Sequence, residues 1–329
     1  MQDQPSGCPK HMVYGPCGGV RDDLGCEVDG RRCPFVDAEP VRWPTAADPT
    51  LAAGAEEEDR PLVVVDIRPA EPTLESARWI AAAYEGWADT VLVGDHHGRV
   101  ELPGPFLARE LVEAGLRPWV TLSCRDRNSV ALESDLVALR ELGVDAVHCV
   151  TGDARAPHVR AGSEPVFELD SLRLTALASS LGLEVSVAES PGAPPEQHRA
   201  ARAIDKHAAG ASWCFINVGV EEDRLREFVA TVNAGAPGMR CVVCVPVITD
   251  AASAARLTSL PGVHIDAAAV AAIDSAPDPA EAIVEATVAA AQRALSIEGV
   301  AGVNLSGPSV MVPADERAAL MREIVLRLT

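Results

Sequence analysis

The sequence is short of lysine. Of its 28 basic residues only two are lysines, Lys10 and Lys206; the rest are arginines. A compositional bias toward arginine explains most of this. The two survivors stand out, because a compact ammonium suits places where a planar guanidinium does not fit. Aromatic residues are scarce too, at 4% against 48% hydrophobic content, so the core has to be Ala, Val and Leu, which suits close helix-on-sheet packing. Positive charge is outweighed throughout: the net charge of −20 and pI of about 4.7 exclude nucleic acid and anionic membrane surfaces as natural partners. No apolar run approaches the roughly 20 residues of a membrane span. The polar N-terminus lacks the apolar stretch of a secretion signal, so a cytoplasmic location is expected. In that compartment nine cysteines point to metal ligation or core thiols before disulfides.

Four of those cysteines, Cys8, Cys17, Cys26 and Cys33, open the chain with the spacing C-x8-C-x8-C-x6-C and seven glycines and prolines between the first and the last. So few apolar residues cannot fold by burial alone. Four thiolates on one Zn²⁺ would supply on the order of 10 kcal/mol. An iron–sulfur cluster and a metal-free loop docked on the main domain are the competing readings, and His11 can replace one cysteine as ligand. We assign residues 1–50 to this Cys-rich module. Residues 51–60, small and then acidic (Glu56 to Asp59), read as a linker.

From 61 to 329 the pattern changes. Apolar, β-branched runs recur at 62–65, 90–93, 118–122, 146–150, 184–187, 213–218, 241–248 and 300–305, with amphipathic helical stretches between them. Eight strands alternating with helices predict an α/β fold, a (β/α)8 TIM barrel. A doubly wound sheet is the alternative, but no G-x-G-x-x-G follows the first strand. In such a barrel the C-terminal ends of the strands form one rim, where ligand chemistry sits. Read off in order, that rim carries Asp66 and Arg68; Asp95, His96 and His97; Arg125, Asp126, Arg127 and Asn128; Thr151, Asp153 and Arg155; Glu189 and Ser190; Asn217; Thr249 and Asp250; Asn304 and Ser306. Asp250 and Ser306 are expected as helix caps. The pair Cys241 and Cys244 forms a C-x-x-C. Three positions apart on a strand, their side chains face opposite sides, so they read as core thiols, as do Cys124, Cys149 and Cys214.

Specific motifs add a family resemblance. Cys-Pro-Lys-x-Met-x-x-Gly-Pro-Cys-Gly-Gly, with Gly-x-Cys-Glu-Val after it, is similar to the cysteine-rich region that accompanies methylenetetrahydrofolate reductases, here placed at the N-terminus. In the main domain Thr121-Leu-Ser-Cys-Arg-Asp-Arg-Asn128, Leu142-Gly-Val-x-x-Val147, Val150-Thr-Gly-Asp153, Pro165-Val-Phe-Glu-Leu-Asp-Ser171 and Lys206-His-Ala-Ala-Gly-Ala211 resemble the barrel of the same family. The resemblance implies a flavin-containing barrel that reduces 5,10-methylenetetrahydrofolate to 5-methyltetrahydrofolate, with FAD as cofactor and NAD(P)H as reductant. It implies Asp66 as the general acid, in place of the family's glutamate, and Asp126 as a pterin contact that also tunes the flavin. It implies Asp153 as a flavin holder; Thr151, Arg155, Lys206 and His96 join it as cofactor contacts, and Asn217 and Glu189 join Asp126 at the substrate. A partner protein that supplies electrons and a homo-oligomer both fit this arrangement.

Three stretches depart from the family pattern. Val93-Gly-Asp-His-His97 lacks the family's Thr-Tyr-Gly-Ala, Asn217 stands where the family has glutamine, and Ser190-Pro-Gly-Ala-Pro-Pro195 replaces Tyr-Pro-Glu-x-His-Pro. Two rival readings follow from them. One is a folate barrel that transfers one-carbon units without net reduction. The other is a non-catalytic folate- or partner-binding subunit.

Overall fold

The computed structural model describes residues 7–44, 60–156, 158–307 and 312–329. The expected linker lies outside these residues except for Arg60, as do both ends of the expected module.

The predicted barrel is there. Strands β1 (Leu62–Ile67), β2 (Thr90–Val93), β3 (Arg117–Ser123), β4 (Ala146–Val150), β5 (Val185–Glu189), β6 (Trp213–Ile216), β7 (Arg240–Pro246) and β8 (Val300–Ser306) pair in sequence order, all parallel, and β8 returns to β1 to close the sheet. Closure brings backbones close: a Cβ on Gly302 would lie 2.4 Å from the Leu62 carbonyl oxygen. The helices follow their strands outside: α1 (Leu74–Tyr84), α2 (Gly104–Glu113), α3 (Ser129–Leu142), α4 (Ser171–Ser180), α5 (Arg199–Ala208) and α6 (Glu222–Gly235). After β7 come α7 (Ala251–Thr258), α8 (Ala267–Asp274) and α9 (Pro279–Leu295), and α10 (Ala314–Leu328) ends the chain.

The core has two layers, as a barrel demands. Aliphatic side chains fill the space between sheet and helices, with Val91, Leu111, Leu132, Val147, Val229 and Ile324 wholly buried. Three of the few aromatics fill the inside of the barrel. Trp119, Trp213 and Phe215 meet there at centroid distances of 5.3 and 5.4 Å, packed with Val64, Ala146 and Val242. His148 joins them, its Nδ1 2.8 Å from the Ser186 hydroxyl, and burial drives its pKa down to about 3. The core-thiol reading holds for Cys124, Cys149, Cys214 and Cys241, all buried.

Local polar residues set the helix starts. Asn128 caps α3 and Asp170 caps α4, each accepting from a backbone N–H three residues on. Asp250 caps α7 in a reciprocal box with Ser253, as expected. Ser306 does not cap a helix; it is the last residue of β8.

Among its described residues the N-terminal segment folds as a small irregular unit around Met12, Val20, Cys33 and Phe35, with one 3-10 turn at Pro34–Val36 and two isolated antiparallel bridges. It sits on the strand C-termini of the barrel. Lys10 donates to the Gly152 carbonyl at 2.6 Å, His11 Nδ1 lies 3.1 Å from the Phe167 carbonyl, and Arg202 donates to the Tyr14 carbonyl at 2.9 Å.

Candidate functional site

The rim divides into a covered half and an open half. The covered half is over β4 and β5. Thr151, at the end of β4, faces the Met12 sulfur at 3.8 Å and accepts the Ser171 N–H. At the end of β5, Glu189 is buried with three cations around it: Lys206 at 2.8 Å, Arg199 at 3.2 Å and Arg202 at 3.6 Å. Burial alone would raise its pKa; Lys206, Arg202 and Arg199 outweigh this and hold it down to about 2. Arg199 also donates to the Cys17 carbonyl at 3.1 Å. Glu189 and Lys206 are therefore joints between barrel and module. Both were expected to meet a ligand, but neither has a face left for one. Asn217, after β6, is turned to its neighbours, donating to Ser190 Oγ at 3.2 Å and accepting the Val218 N–H at 2.9 Å.

The open half lies over β8, β1, β2 and β3. Two cavities adjoin there, of about 270 and 440 Å³, sharing Ile67, Arg68, Gly94 and His96 as walls. The smaller is lined by Thr121, Asp126, Arg127 and Arg155. Asp126 is braced on one side only: Arg125 Nε, at 2.9 Å, and the Arg155 guanidinium both bond to Oδ2. Oδ1 carries no bond among the described residues. Arg155 also donates to the Arg99 carbonyl at 2.7 Å, tying the loop after β4 to the loop after β2. Asp95 underpins the group, taking Arg125, Arg127 and Ser123 each at 2.8 Å. Burial would raise its pKa, but Arg127 and Arg125 hold it below the usual carboxylate range.

The larger cavity is lined by Asp66, Trp79, Tyr84, Ser306, Arg256 and Arg317, with Arg68 and His96 on the shared wall. Asp66 Oδ1 is buried with no hydrogen-bond partner among the described residues. Burial pushes the Asp66 carboxyl up to about 6, against the opposing pull of the Asn304 amide, His96 and the Gly307 backbone. Around it positive charge is crowded. Glu101 serves Arg99 at 2.9 Å, His96 at 3.0 Å and Arg68 at 3.4 Å. Burial, and then Arg99, hold both Arg68 and Arg317 below the usual guanidinium range.

Of the expected site residues, then, Asp66, Asp126, Arg155 and His96 share the open mouth. Asp153 stands at its edge, 64% exposed and 3.7 Å from His97. Thr151, Lys206 and Glu189 go under the module. Glu101, Tyr84, Trp79, Arg256 and Arg317 were not foreseen. Arg317 was masked by the apolar periodicity of α10, although its place in the first turns after the last strand puts it at the rim.

A family model described as "Methylenetetrahydrofolate reductase" matches residues 106–306. The chain belongs to the methylenetetrahydrofolate reductase family. Membership supports an oxidoreductase of one-carbon metabolism. The matched stretch starts in α2, so Asp66 and the Cys-rich module lie outside it. No curated protein matches the chain. Among solved structures it is similar to tryptophan synthase of Mycobacterium tuberculosis, at 14% identity over 86% of this chain and 98% of that one, with a TM-score of 0.49. It is also similar to a truncated 3-deoxy-D-arabino-heptulosonate 7-phosphate synthase of Thermotoga maritima, at 12% identity over 82% and 85%, TM-score 0.42. A 2,3-dimethylmalate lyase is similar at 12% identity over 79% and 78%, TM-score 0.46. These likenesses say nothing of chemistry.

The expected zinc site is not shown. Among the described residues no three His, Cys, Asp or Glu side chains are placed to hold a metal ion. The four thiols do feel one another: burial pushes Cys33 up to about 11, and Cys17, Cys8 and Cys26 add to the rise. Metal was expected because so short a segment lacks a core of its own. The structure supplies the missing burial by docking, with Lys10, Met12 and Phe35 almost completely enclosed.

Of the five residues expected to contact FAD, His96 lines the open mouth and the other four are placed differently. Thr151 and Lys206 are enclosed by the module and its joints, Arg155 is committed to Asp126 and to backbone carbonyls, and Asp153 stands apart. No helix among the described residues is long and apolar enough to cross a membrane.

Proposed function

We propose that the barrel reduces 5,10-methylenetetrahydrofolate to 5-methyltetrahydrofolate, with the pterin in the smaller cavity and Asp66 as general acid. The observation that carries this is the presence of two carboxylates in adjoining cavities, Asp126 in the smaller and Asp66 in the larger. Asp126 is fixed by two arginines through Oδ2, so Oδ1 is left to accept N–H groups from a pterin ring. Asp66, its Oδ1 buried, is raised to about 6, so the protonated form is well populated at and below pH 6 and is the minor form at pH 7. Proton transfer from Asp66 to N10 of the folate breaks the N10–methylene bond and leaves an iminium at N5. A hydride delivered to the methylene carbon then makes the methyl group, and Asp66 is reprotonated from solvent. Aspartate is one methylene shorter than the family's glutamate; it lines the larger cavity, next to Ile67 and Arg68 of the shared wall. Formation of 5-methyltetrahydrofolate by the wild type, and its loss in Asp66→Asn with folate binding retained, is the expected result. Undiminished turnover in that variant removes Asp66 from the reaction.

A further inference from the structure

We infer that His96, oriented by Glu101, carries protons from solvent to Asp66 and so recharges the acid after each turnover. The inference deepens the reductase reading and rests on its assignment of Asp66.

The need for a carrier comes from burial. Asp66 Oδ1 is enclosed, with no hydrogen-bond partner among the described residues. A buried carboxylate that has given up its proton regains one only through a neighbouring group. The ionisable groups that face Asp66 come from several elements. Arg68 follows β1, Tyr84 ends α1, His96 follows β2, Arg256 lies on α7 and Arg317 on α10, and all five line the same cavity. Cys244, on β7, feels the Asp66 charge. The guanidinium groups do not release protons in proteins. Burial pushes Tyr84 and Cys244 each up to about 12, so neither exchanges protons near neutrality. That leaves the imidazole, a group that both takes up and gives up protons in this range.

The geometry fits that task. His96 lines both cavities, and its side chain is 37% exposed, so it meets solvent on one side and the Asp66 cavity on the other. Its Nδ1 lies 3.0 Å from Glu101 Oε1. Glu101 is held in turn by Arg99 Nε, 3.0 Å from each of its oxygens. A carboxylate at Nδ1 keeps the hydrogen on that nitrogen and leaves Nε2 to exchange. The ring folds back over Gly94: a Cβ there would lie 2.5 Å from His96 Cε1 and 2.9 Å from Nε2, so a side chain at 94 would displace the ring. Arg155 holds the backbone by donating to the His96 carbonyl at 3.3 Å. Gly94 and His96 both belong to the Val93-Gly-Asp-His-His97 stretch, where the chain departs from the family pattern. His97 is turned to Asp153 instead, at 3.7 Å.

The step moves one proton. Asp66 gives its proton to N10 and is left as the carboxylate. The His96 imidazolium gives its Nε2 proton to a water in the cavity, and that water gives one of its own to Asp66. An N–H bond breaks at His96, an O–H bond forms at Asp66, and the water is regenerated. The neutral imidazole then takes a proton from solvent. A cavity of about 440 Å³ has room for such a water, which fills about 30 Å³.

The test is steady-state formation of 5-methyltetrahydrofolate by the full-length protein at pH 7, with free imidazole titrated in as the probe. In His96→Gln, kcat should fall by about tenfold or more, while KM for methylenetetrahydrofolate stays within about twofold. Free imidazole should restore kcat in that variant as its concentration rises, and should do nothing for wild type or for Asp66→Asn. Gly94→Ala keeps the imidazole but displaces it, and should lose and regain activity in the same way. Undiminished kcat in His96→Gln, or a loss that imidazole does not relieve, overturns the inference and leaves the reductase reading standing. A wild type that forms no 5-methyltetrahydrofolate sinks the reductase reading and the proton carrier with it.

Discussion

Replacing Asp66 by asparagine should change activity and stability in opposite directions. Asp66 has a folded pKa of about 6 against an ordinary value of 3.8. Its carboxyl is thus harder to ionise in the folded chain than in the unfolded one. A raised carboxyl pKa contributes stability that is fully present below 3.8 and is lost as pH rises through about 6. At pH 7 the carboxylate is almost wholly ionised in both states, and the two-unit difference makes it cost about 3 kcal/mol. Asparagine keeps the shape and removes that cost. Asp66→Asn should therefore be more stable than wild type by about 2 to 3 kcal/mol at pH 7 and by about 1.5 kcal/mol at pH 5, with no gain near pH 3. Its turnover should fall by about 10² to 10⁴, the usual worth of a positioned general acid. In the wild type, kcat should decline toward tenfold per pH unit above about 6, because only the protonated carboxyl works. Denaturant melts at three pH values and a pH–rate profile are the assays. A variant that is inactive and less stable at pH 7 makes Asp66 a structural residue. A flat wild-type profile from pH 6 to 8 refutes the assigned pKa.

Other consequences follow from the same geometry. Glu189→Gln strips three buried cations of their shared partner and should cost about 3 to 5 kcal/mol, with the Cys-rich module becoming protease-sensitive before the barrel does. Because the Glu189 pKa is depressed from 4.5 to about 2, its contribution is present above 4.5 and disappears as pH falls toward 2. Acid titration followed by module proteolysis should show release in that window, and release only above it contradicts the assignment. Asp126→Asn should weaken folate binding by about 1.5 to 3 kcal/mol, the worth of a hydrogen bond to a charged group, as read by calorimetry. Dialysis against a strong chelator should leave the thermal midpoint unchanged, since docking on the barrel already buries Lys10, Met12 and Phe35. A large drop would show that zinc shapes it after all.

The barrel was legible in the sequence because its strands are buried on both faces and read as continuous apolar runs between amphipathic helices. The mouth was legible in part. Asp66, Asp126 and His96 sit at strand ends, and the run-to-charge break marks such ends. What the sequence could not show is where a separate segment docks. Lys10 and Lys206 were singled out as survivors of an arginine bias, and both prove to be buried. Lys206 serves a carboxylate at the barrel–module joint, and Lys10 pairs with Glu27 and the Gly152 carbonyl. Glu189 was misread for the same reason: a strand-end carboxylate looks like a ligand group until something covers it. The cysteine spacing suggested a metal, which the described residues do not show; the burial supplied by docking was not legible in that spacing. Arg317 and Trp79 were hidden on helices whose apolar periodicity explained them well enough.

The central claim is tested most directly by isotope. The protein is mixed with NADH deuterated at C4, each face in turn, and 5,10-methylenetetrahydrofolate, and the methyl group of the product is analysed by mass spectrometry. One face should deliver deuterium to the methyl group of the product. Product free of deuterium from both faces, or no 5-methyltetrahydrofolate at all, contradicts the account.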